Sequence, residues 1–173
     1  MLVLAGCVTA EPPNTPVTMP GAAGQQGQTQ LSAAAQGAAA AFANPSQLQG
    51  QPGRAAIAVA QLEYITAEFG RGMQASSSGD VLPSLEAARQ EVRNYLRIGQ
   101  TVPSQTVINA MTAAASGGPS QFPAGLAEGG GTALWQRLGS MPRMPQANAA
   151  TQQAVQYLEF GAMPGGQSGG YRR

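Results

Sequence analysis

Four glutamates in the central third of the chain form two pairs, and they are the side chains best suited to acid–base chemistry. The pairs are Glu63 with Glu68 and Glu86 with Glu91. Two facing carboxyl groups can cleave a glycosidic bond, one as the acid and the other as base or nucleophile. Five residues of helix correspond to about 140° of rotation, so neither pair shares a helix face. A glycan-cleaving enzyme therefore requires carboxylates from two different helices to meet in a cleft.

Other side chains with catalytic potential are scarce. The 173 residues contain no His and no Lys, and Cys7 is the single cysteine. These absences remove Cys–His and Ser–His–Asp nucleophiles, zinc sites built from Cys or His, and phosphate loops that require Lys. The run Gly129–Gly131 has no preceding strand of the phosphate-binding kind, and we expect it to be a flexible loop. We therefore expect no catalytic residues, no metal and no cofactor.

Three arginines lie four residues apart, at Arg89, Arg93 and Arg97. On a helix this spacing gives a slowly drifting row, since four residues turn about 400°. A row of guanidinium groups suits the phosphate or carboxylate groups of a lipid, a glycan or a protein partner. The alternative is an ordinary solvated helix face, on which Glu86 lies within reach of Arg89. The row is thus a candidate for anion or partner contact.

A stretch in the carboxyl-terminal third forms a second candidate surface. It contains Trp135, Met141 and Met144, and Phe122 precedes it. Side chains of these types are useful at protein interfaces, because they are large and, for methionine, adaptable. The same residues also serve to cover a thin core beneath a long loop, which is the commoner use. The sequence therefore leaves two interpretations, an exposed docking surface and a core cover.

The amino terminus carries the strongest motif. An apolar run leads through Leu4, Ala5 and Gly6 to Cys7. This tetrapeptide resembles the lipobox of bacterial lipoproteins. In that class, as the resemblance implies, the thiol of Cys7 receives a diacylglyceryl group, a peptidase cuts before the cysteine, and the new amino group is often acylated. The small residues at positions 5 and 6 give the peptidase access to the backbone.

The resemblance also implies an address for the protein. Several acyl chains make membrane anchoring stable. Val8, rather than Asp, follows the lipidated residue, which implies the outer membrane where a cell has two membranes. The apolar run is shorter than a signal core of ~7–15 residues, so we interpret residues 1–6 as the remnant of a signal peptide encoded upstream of Met1. The alternative is that Cys7 is an incidental thiol of a cytoplasmic protein.

Composition and periodicity divide the remainder into three parts. Residues 7–28 are rich in Pro, Gly and Gln and are expected to be a flexible tether. Residues 161–173 are Gly-rich and are expected to be a disordered tail. Residues 29–160 carry apolar stripes at helical spacing with short links, which predicts an all-α fold, a small bundle of three to five helices. The predicted helical segments are 29–43, 52–69, 81–98, one opened by Thr101 and Pro103 and ended before Gly117, a turn or two at 132–138, and 147–160.

Composition limits both the core and the partners. Of the 173 residues, 32 are Ala and only 29 are Leu, Ile, Val or Phe, so the core must be thin. The net charge is +1 and no basic cluster is interleaved with aromatics, so nucleic acid is not expected as a partner.

The sequence favours a non-enzymatic role in the cell envelope. We expect a lipid-anchored protein that faces the periplasm, is attached to the membrane through Cys7, and contacts a protein partner within a larger membrane-associated complex. The alternative is a periplasmic binding module for a lipid or another apolar ligand, for which a pocket of ~300 Å³ or more would be evidence.

Overall fold

A computed structural model of the chain describes residues 16–20, 28–72 and 81–160. Within these ranges the predicted all-α fold is confirmed, with six α-helices where three to five were expected. They are α1 (Gln28–Ala43), α2 (Pro52–Gly72), α3 (Val81–Leu96), α4 (Ser104–Gly117), α5 (Gly130–Gly139) and α6 (Pro145–Phe160). Two short 3-10 helices, Pro45–Gln47 and Pro119–Gln121, lie in the links before α2 and α5. Cys7 and the predicted disordered tail lie outside the described residues.

Helix α2 is the central element of the bundle. It packs against α1, α3, α4 and α5, while α6 packs against α1 and α3. A helix with neighbours on several sides must be apolar around most of its circumference, and α2 is buried along nearly its whole length. The alanines of α2 let its neighbours approach closely, since Ala55, Ala56, Ala58 and Ala60 are at most 1% exposed. Alanine therefore supplies much of the thin core that the composition predicts.

Two close contacts show how α1 and α4 lie beside α2. A Cβ at Gly53, at the start of α2, would lie 3.0 Å from the carbonyl oxygen of Ala115, at the end of α4. A Cβ at Gly37 of α1 would lie 2.5 Å from the side-chain nitrogen of Gln61. The short link 44–51 returns the end of α1 to the start of α2, so α1 runs antiparallel to α2, and the Gly53–Ala115 contact brings the end of α4 to the same place. The carboxyl ends of α1 and α4 consequently lie at the same end of the bundle as the start of α2.

Helix α3 ends earlier than residue 98, the predicted end. Arg97 adopts the left-handed conformation, with φ of 59°, and the N–H of Ile98 donates to the carbonyl of Arg93 at 2.9 Å. This is a Schellman motif, in which the left-handed position is usually occupied by glycine. Ile98 is buried and forms an isolated antiparallel bridge with Ala127. Tertiary burial of Ile98 therefore decides where the helix stops.

The prediction of a flexible loop at Gly129–Gly131 is wrong. Gly129 caps the start of α5 in the left-handed conformation, with φ of 84°, and the next two glycines belong to the first turn of that helix. A Cβ at Gly131 would lie 2.6 Å from the carbonyl oxygen of Pro119. Glycine is needed here because two backbone segments approach closely.

Part of the predicted flexible tether is ordered against the bundle. Val17 is buried, and the N–H of Thr18 donates to Oε1 of Gln105 at 2.7 Å. The same amide donates from Nε2 back to the carbonyl of Thr18 at 3.0 Å, so Gln105 pairs with the backbone as a neighbouring strand would. Nε2 of Gln105 also donates to Oδ1 of Asn109. Residues 16–20 are therefore held at the amino-terminal end of α4.

Candidate functional site

A surface groove of about 920 Å³ opens beside the link between α1 and α2. One wall is the carboxyl-terminal half of α1 and the other is the first half of α2, while Ala115 of α4 and Trp135 of α5 complete it. The lining is mainly apolar, from Leu48, Pro52 and Ile57 together with several alanines. Alanine side chains leave space that larger residues would fill, so the alanine-rich sequence accounts for the depth of the groove.

The link that borders the groove is held in place by local chemistry and by one long-range bond. Pro45 follows the end of α1, and Pro52 occupies the start of α2, where its missing N–H costs nothing. Between them Leu48 is buried, and the N–H of Gly50 donates to the carbonyl of Gly139 at 2.8 Å. The groove is therefore preformed between fixed walls.

Amide side chains supply the hydrogen-bonding groups of the groove. Within the described part of the chain, the side chains of Gln47, Gln51 and Gln61 make no hydrogen bond to the protein. A fourth amide, Asn44, donates to the carbonyl of Ala40 at 3.2 Å and keeps its oxygen available. The groove therefore offers both donors and acceptors beside an apolar floor.

One charged residue lines the groove. Arg54 lies in the first turn of α2, is exposed, and forms neither an ion pair nor a side-chain hydrogen bond with any residue in the described ranges. No carboxylate is among the lining residues. The rim of the groove consequently has a positive charge without a counterion from its own walls.

The residues of the predicted docking surface lie in different places. Met141 and Met144 are buried in the core, so neither contributes to an exposed surface. Trp135 is half-buried and lines the groove, and its ring packs against Phe122 with 6.3 Å between ring centroids. The apolar stretch therefore covers the core except at Trp135, which reaches the groove.

The three arginines spaced by four residues do not form the predicted exposed row. Arg93 is 1% exposed, whereas Arg97 lies beyond the end of α3, is exposed, and approaches Oε2 of Glu128 at 3.6 Å. Arg89 is partly buried and donates to Oγ of Ser104 at 3.3 Å. The row is broken because α3 ends at Leu96 and its inner face takes Arg93 into the core.

Arg93 belongs to a buried polar network that joins three helices. Its Nε and Nη2 donate to the two carboxylate oxygens of Glu63 at 2.6 and 2.7 Å, and its Nη1 donates to three backbone carbonyls within residues 99–102. Ser104 donates from Oγ to Oε2 of Glu63 at 2.9 Å. A buried ion pair needs such additional hydrogen bonds to offset desolvation. The network thus holds the link between α3 and α4 in place.

The four glutamates that suggested acid–base chemistry have different surroundings. Glu63 is closed within the buried network, and Oε2 of Glu91 accepts a hydrogen bond from the N–H of Ala147, in the first turn of α6, at 3.0 Å. Glu68 pairs with Arg71 at 2.6 Å, and Glu86 is exposed. Glu63 and Glu91 are therefore engaged in holding helices together, and neither is free to serve in a catalytic pair.

Nothing in the sequence spacing indicated the groove or the Glu63–Arg93 pair. The groove residues come from four helices and a link, and the ion pair joins positions 30 residues apart. The single signal available was the abundance of alanine, which predicts a loosely filled core without saying where the space lies.

Comparison with known proteins gives no match to any protein family, to any curated protein or to any solved structure. None of the helices in the described ranges combines the length and apolar character that crossing a bilayer requires. In the same ranges, no three acidic, His or Cys side chains cluster in a way that would hold a metal ion. The groove and the amino-terminal motif are therefore the features of this chain that bear on its function.

Proposed function

We propose that this chain is a lipid-anchored bacterial envelope protein whose helical domain acts by binding, without catalysis, and that the groove is its binding site. The observation that supports this proposal best is the groove itself. Its volume of about 920 Å³ falls within the range of about 300–1,000 Å³ that is usual for ligand sites. It combines an apolar floor with a few convergent polar groups, as such sites do.

The distribution of apolar surface favours a groove over a flat docking face. Among the described residues, Phe160 at the end of α6 is the one large hydrophobic side chain that is strongly exposed. A flat interface would require a contiguous exposed apolar patch. An accessory component of a larger complex can still be built on this domain, provided that it captures a segment of its partner in the groove.

The position of the groove agrees with attachment through Cys7. At most about 30 Å of chain separates Cys7 from residue 16, since extended residues advance about 3.3–3.6 Å each. The segment that follows is held by Gln105, at the amino-terminal end of α4, whereas the groove touches Ala115, near its other end. If Cys7 is lipidated, the groove would then lie at the end of the bundle that is remote from the tether.

The anchor is tested by expressing the gene from its native locus with the upstream codons included. We expect the protein in the membrane fraction, with the intact mass of a chain that begins at acylated Cys7, and the Cys7→Ser variant in the soluble fraction. A native chain that is soluble and keeps a free thiol would overturn the anchor.

The binding role is tested in the same cells with a photo-crosslinking amino acid at Ala40, which is exposed and lines the groove. We expect a discrete adduct from this position. The matched control is Ala33, which is exposed on the same helix but lies outside the groove. Equal yields from both positions, or none, would contradict binding in the groove.

A further inference from the structure

We infer that the ligand of the groove is an extended peptide segment that carries an apolar side chain and a carboxylate; the inference rests on the proposed function of the groove as a binding site. Three features of the lining support it. They are the amide side chains without protein partners, the low crest at Ala40, which separates the groove from a second depression, and the unpaired charge of Arg54.

The free amides distinguish a peptide from a hydrocarbon chain. An acyl chain seated against Gln47, Gln51 and Gln61 would remove these groups from water without offering them hydrogen bonds, which is unfavourable. An extended peptide presents N–H and C=O groups along its length, and side-chain amides can pair with both. Gln105 already does this with the backbone of Thr18 elsewhere in the same molecule.

The apolar lining distinguishes a peptide from a glycan. Leu48, Pro52 and Ile57 are aliphatic contacts that match a hydrophobic side chain better than sugar hydroxyl groups. Trp135 is the single aromatic residue of the lining, and its ring is already packed against Phe122. The groove therefore has a place for an apolar side chain beside groups that recognise a peptide backbone.

The shape of the surface favours an extended ligand. A second depression, of about 360 Å³, lies between α1 and α6, and Ala40 lines both it and the groove. This second depression is lined by the amides Gln36, Gln152 and Gln156, with Val155. Gln36 donates to Glu159 and Gln152 donates to Asn148, and both keep their amide oxygens available. Because the residue on the crest between the two is an alanine, a chain can cross α1 from one to the other. Amide and apolar side chains thus line both depressions, on either side of α1.

The charge of Arg54 indicates that the ligand carries a carboxylate. Arg54 stands free on the rim, and the groove has no carboxylate of its own. An acidic group on the ligand would gain a charge-assisted hydrogen bond there. The residues of this chain that follow α6 contain two arginines and no acidic residue, so their side chains do not offer the required charge.

The experiment uses the full chain carrying Cys7→Ser, which remains unacylated, and follows the fluorescence of Trp135, the only tryptophan. The probes are random octapeptide libraries with a fixed Glu, and matched libraries with Gln or Arg at that position. Lauric acid and chitotetraose represent the lipid and glycan classes. We expect the Glu library to change the fluorescence at the lowest concentration and the Arg library at the highest.

Two pairs of variants locate the effect. Arg54→Gln should weaken binding of the Glu library about threefold to tenfold and reduce its dependence on salt, whereas Arg143→Gln, at another exposed arginine, should not. Ala40→Phe raises the crest and should also weaken binding, whereas Ala33→Phe should not. Melting temperatures of the two Phe variants equal to that of the unsubstituted chain would show that folding is unaffected.

Several outcomes would overturn the inference. If lauric acid or chitotetraose saturates the fluorescence change and the peptides do not, the groove binds that class, and the proposed binding function survives. If Ala40→Phe instead abolishes a concentration-dependent self-association of the chain, the occupant is a second copy. If no probe acts and Ala40 yields no crosslink in cells, the proposed function fails as well.

Discussion

Arg93 donates two hydrogen bonds, of 2.6 and 2.7 Å, to the two carboxylate oxygens of Glu63, and both side chains are almost completely buried. The pair joins α3 to α2, and Ser104, which bonds the same carboxylate, adds the start of α4. In a core built largely of alanine, these directional bonds define how three helices sit against one another. Such a pair is costly to break, because either partner alone would be a buried charge without a counterion.

Breaking this pair should be among the most destabilising single changes in the domain. We expect Arg93→Met to lower the free energy of unfolding by about 3–5 kcal/mol, because it leaves Glu63 charged and unpaired. Adding Glu63→Leu removes that charge and should restore part of the loss. Urea denaturation measures all three, and Arg143→Met, at an exposed site, should stay within about 0.5 kcal/mol of the wild type. Equal losses in the single and double variants would instead assign the stability to the loop carbonyls that Arg93 also bonds.

Glu91 acts as a cap for α6 supplied from another helix. Its Oε2 accepts the N–H of Ala147, one of the amino-terminal groups that α6 itself cannot satisfy. We expect Glu91→Ala to lower the free energy of unfolding by about 0.5–2 kcal/mol, as loss of a helix cap does. Thermal denaturation measures this loss of stability. Glu86→Ala, at an exposed position on the same helix, is the control, and an equal effect there would rule out capping as the cause.

Arg97 occupies a left-handed position that glycine would occupy without strain. For a non-glycine residue this conformation costs about 1–2 kcal/mol. Replacing it with glycine removes that strain, but glycine loses more conformational freedom on folding, which cancels part of the gain. We therefore expect Arg97→Gly to raise the free energy of unfolding by about 0.5–1 kcal/mol. Arg97→Ala removes the same side chain but keeps the strain, so it should bring no gain. A gain of the same size in both variants would assign the effect to the loss of the arginine charge.

Tyr64 should make the domain less stable at alkaline pH. Burial raises the pKa of its hydroxyl above 10.0, the nearby carboxylate of Glu68 raises it further, and Arg71 opposes the shift. Because the folded pKa exceeds the unfolded one, the contribution to stability is complete below about pH 10 and is lost as pH rises through the folded pKa.

Two variants test this dependence. Tyr64→Phe should make the fall in stability above about pH 10 shallower, as measured by urea denaturation at several pH values, and Tyr157→Phe serves as the control. Glu68→Gln should lower the pKa of Tyr64, which the ultraviolet absorbance of tyrosinate reports. An unchanged alkaline limb in Tyr64→Phe would contradict the assignment.

Gln105 should control the attachment of residues 16–20. Gln105→Ala removes both of its hydrogen bonds to Thr18, and we expect faster hydrogen exchange at the Thr18 amide with little change in melting temperature, because the bonds lie at the surface. Thr106→Ala, at the adjacent exposed position, should leave exchange unchanged. Persistent protection of Thr18 in Gln105→Ala would mean that burial of Val17 and the hydrogen bond from Gln30 to the carbonyl of Met19 hold the segment.

Much of the helical framework follows from local sequence. Pro52 and Pro45 mark starts and stops because proline lacks an N–H and restricts the residue before it. The predicted ranges of α1, α2 and α6 agree with the structure to within three residues at each end. Errors occur where a distant contact overrides local preference, as at Ile98, whose burial ends α3 early, and at Gly131, whose closeness to Pro119 brings glycine into a helix.

The surroundings of the candidate surface residues follow less well from the sequence, for a related reason. The spacing of Arg89, Arg93 and Arg97 predicts a common face only if the helix continues through all three, and α3 ends at Leu96. The methionines at 141 and 144 gave no sign of whether they face solvent or core, because they lie in a link without periodicity. The sequence marks Trp135 as a surface candidate, but its place in the groove depends on three other helices.

The sequence by itself determined the helical class, most helix boundaries, the scarcity of catalytic side chains and the resemblance at Cys7, because all of these depend on residue type and on neighbours within a few positions. The tertiary structure decided which polar groups are buried in pairs, where residues 16–20 are held and where the groove opens. Glu63 and Arg93 are 30 residues apart, and Thr18 and Gln105 are 87 apart. Such contacts arise from how whole helices pack, and in an alanine-rich chain many packings satisfy the same local pattern until the buried charges and close glycine contacts select one.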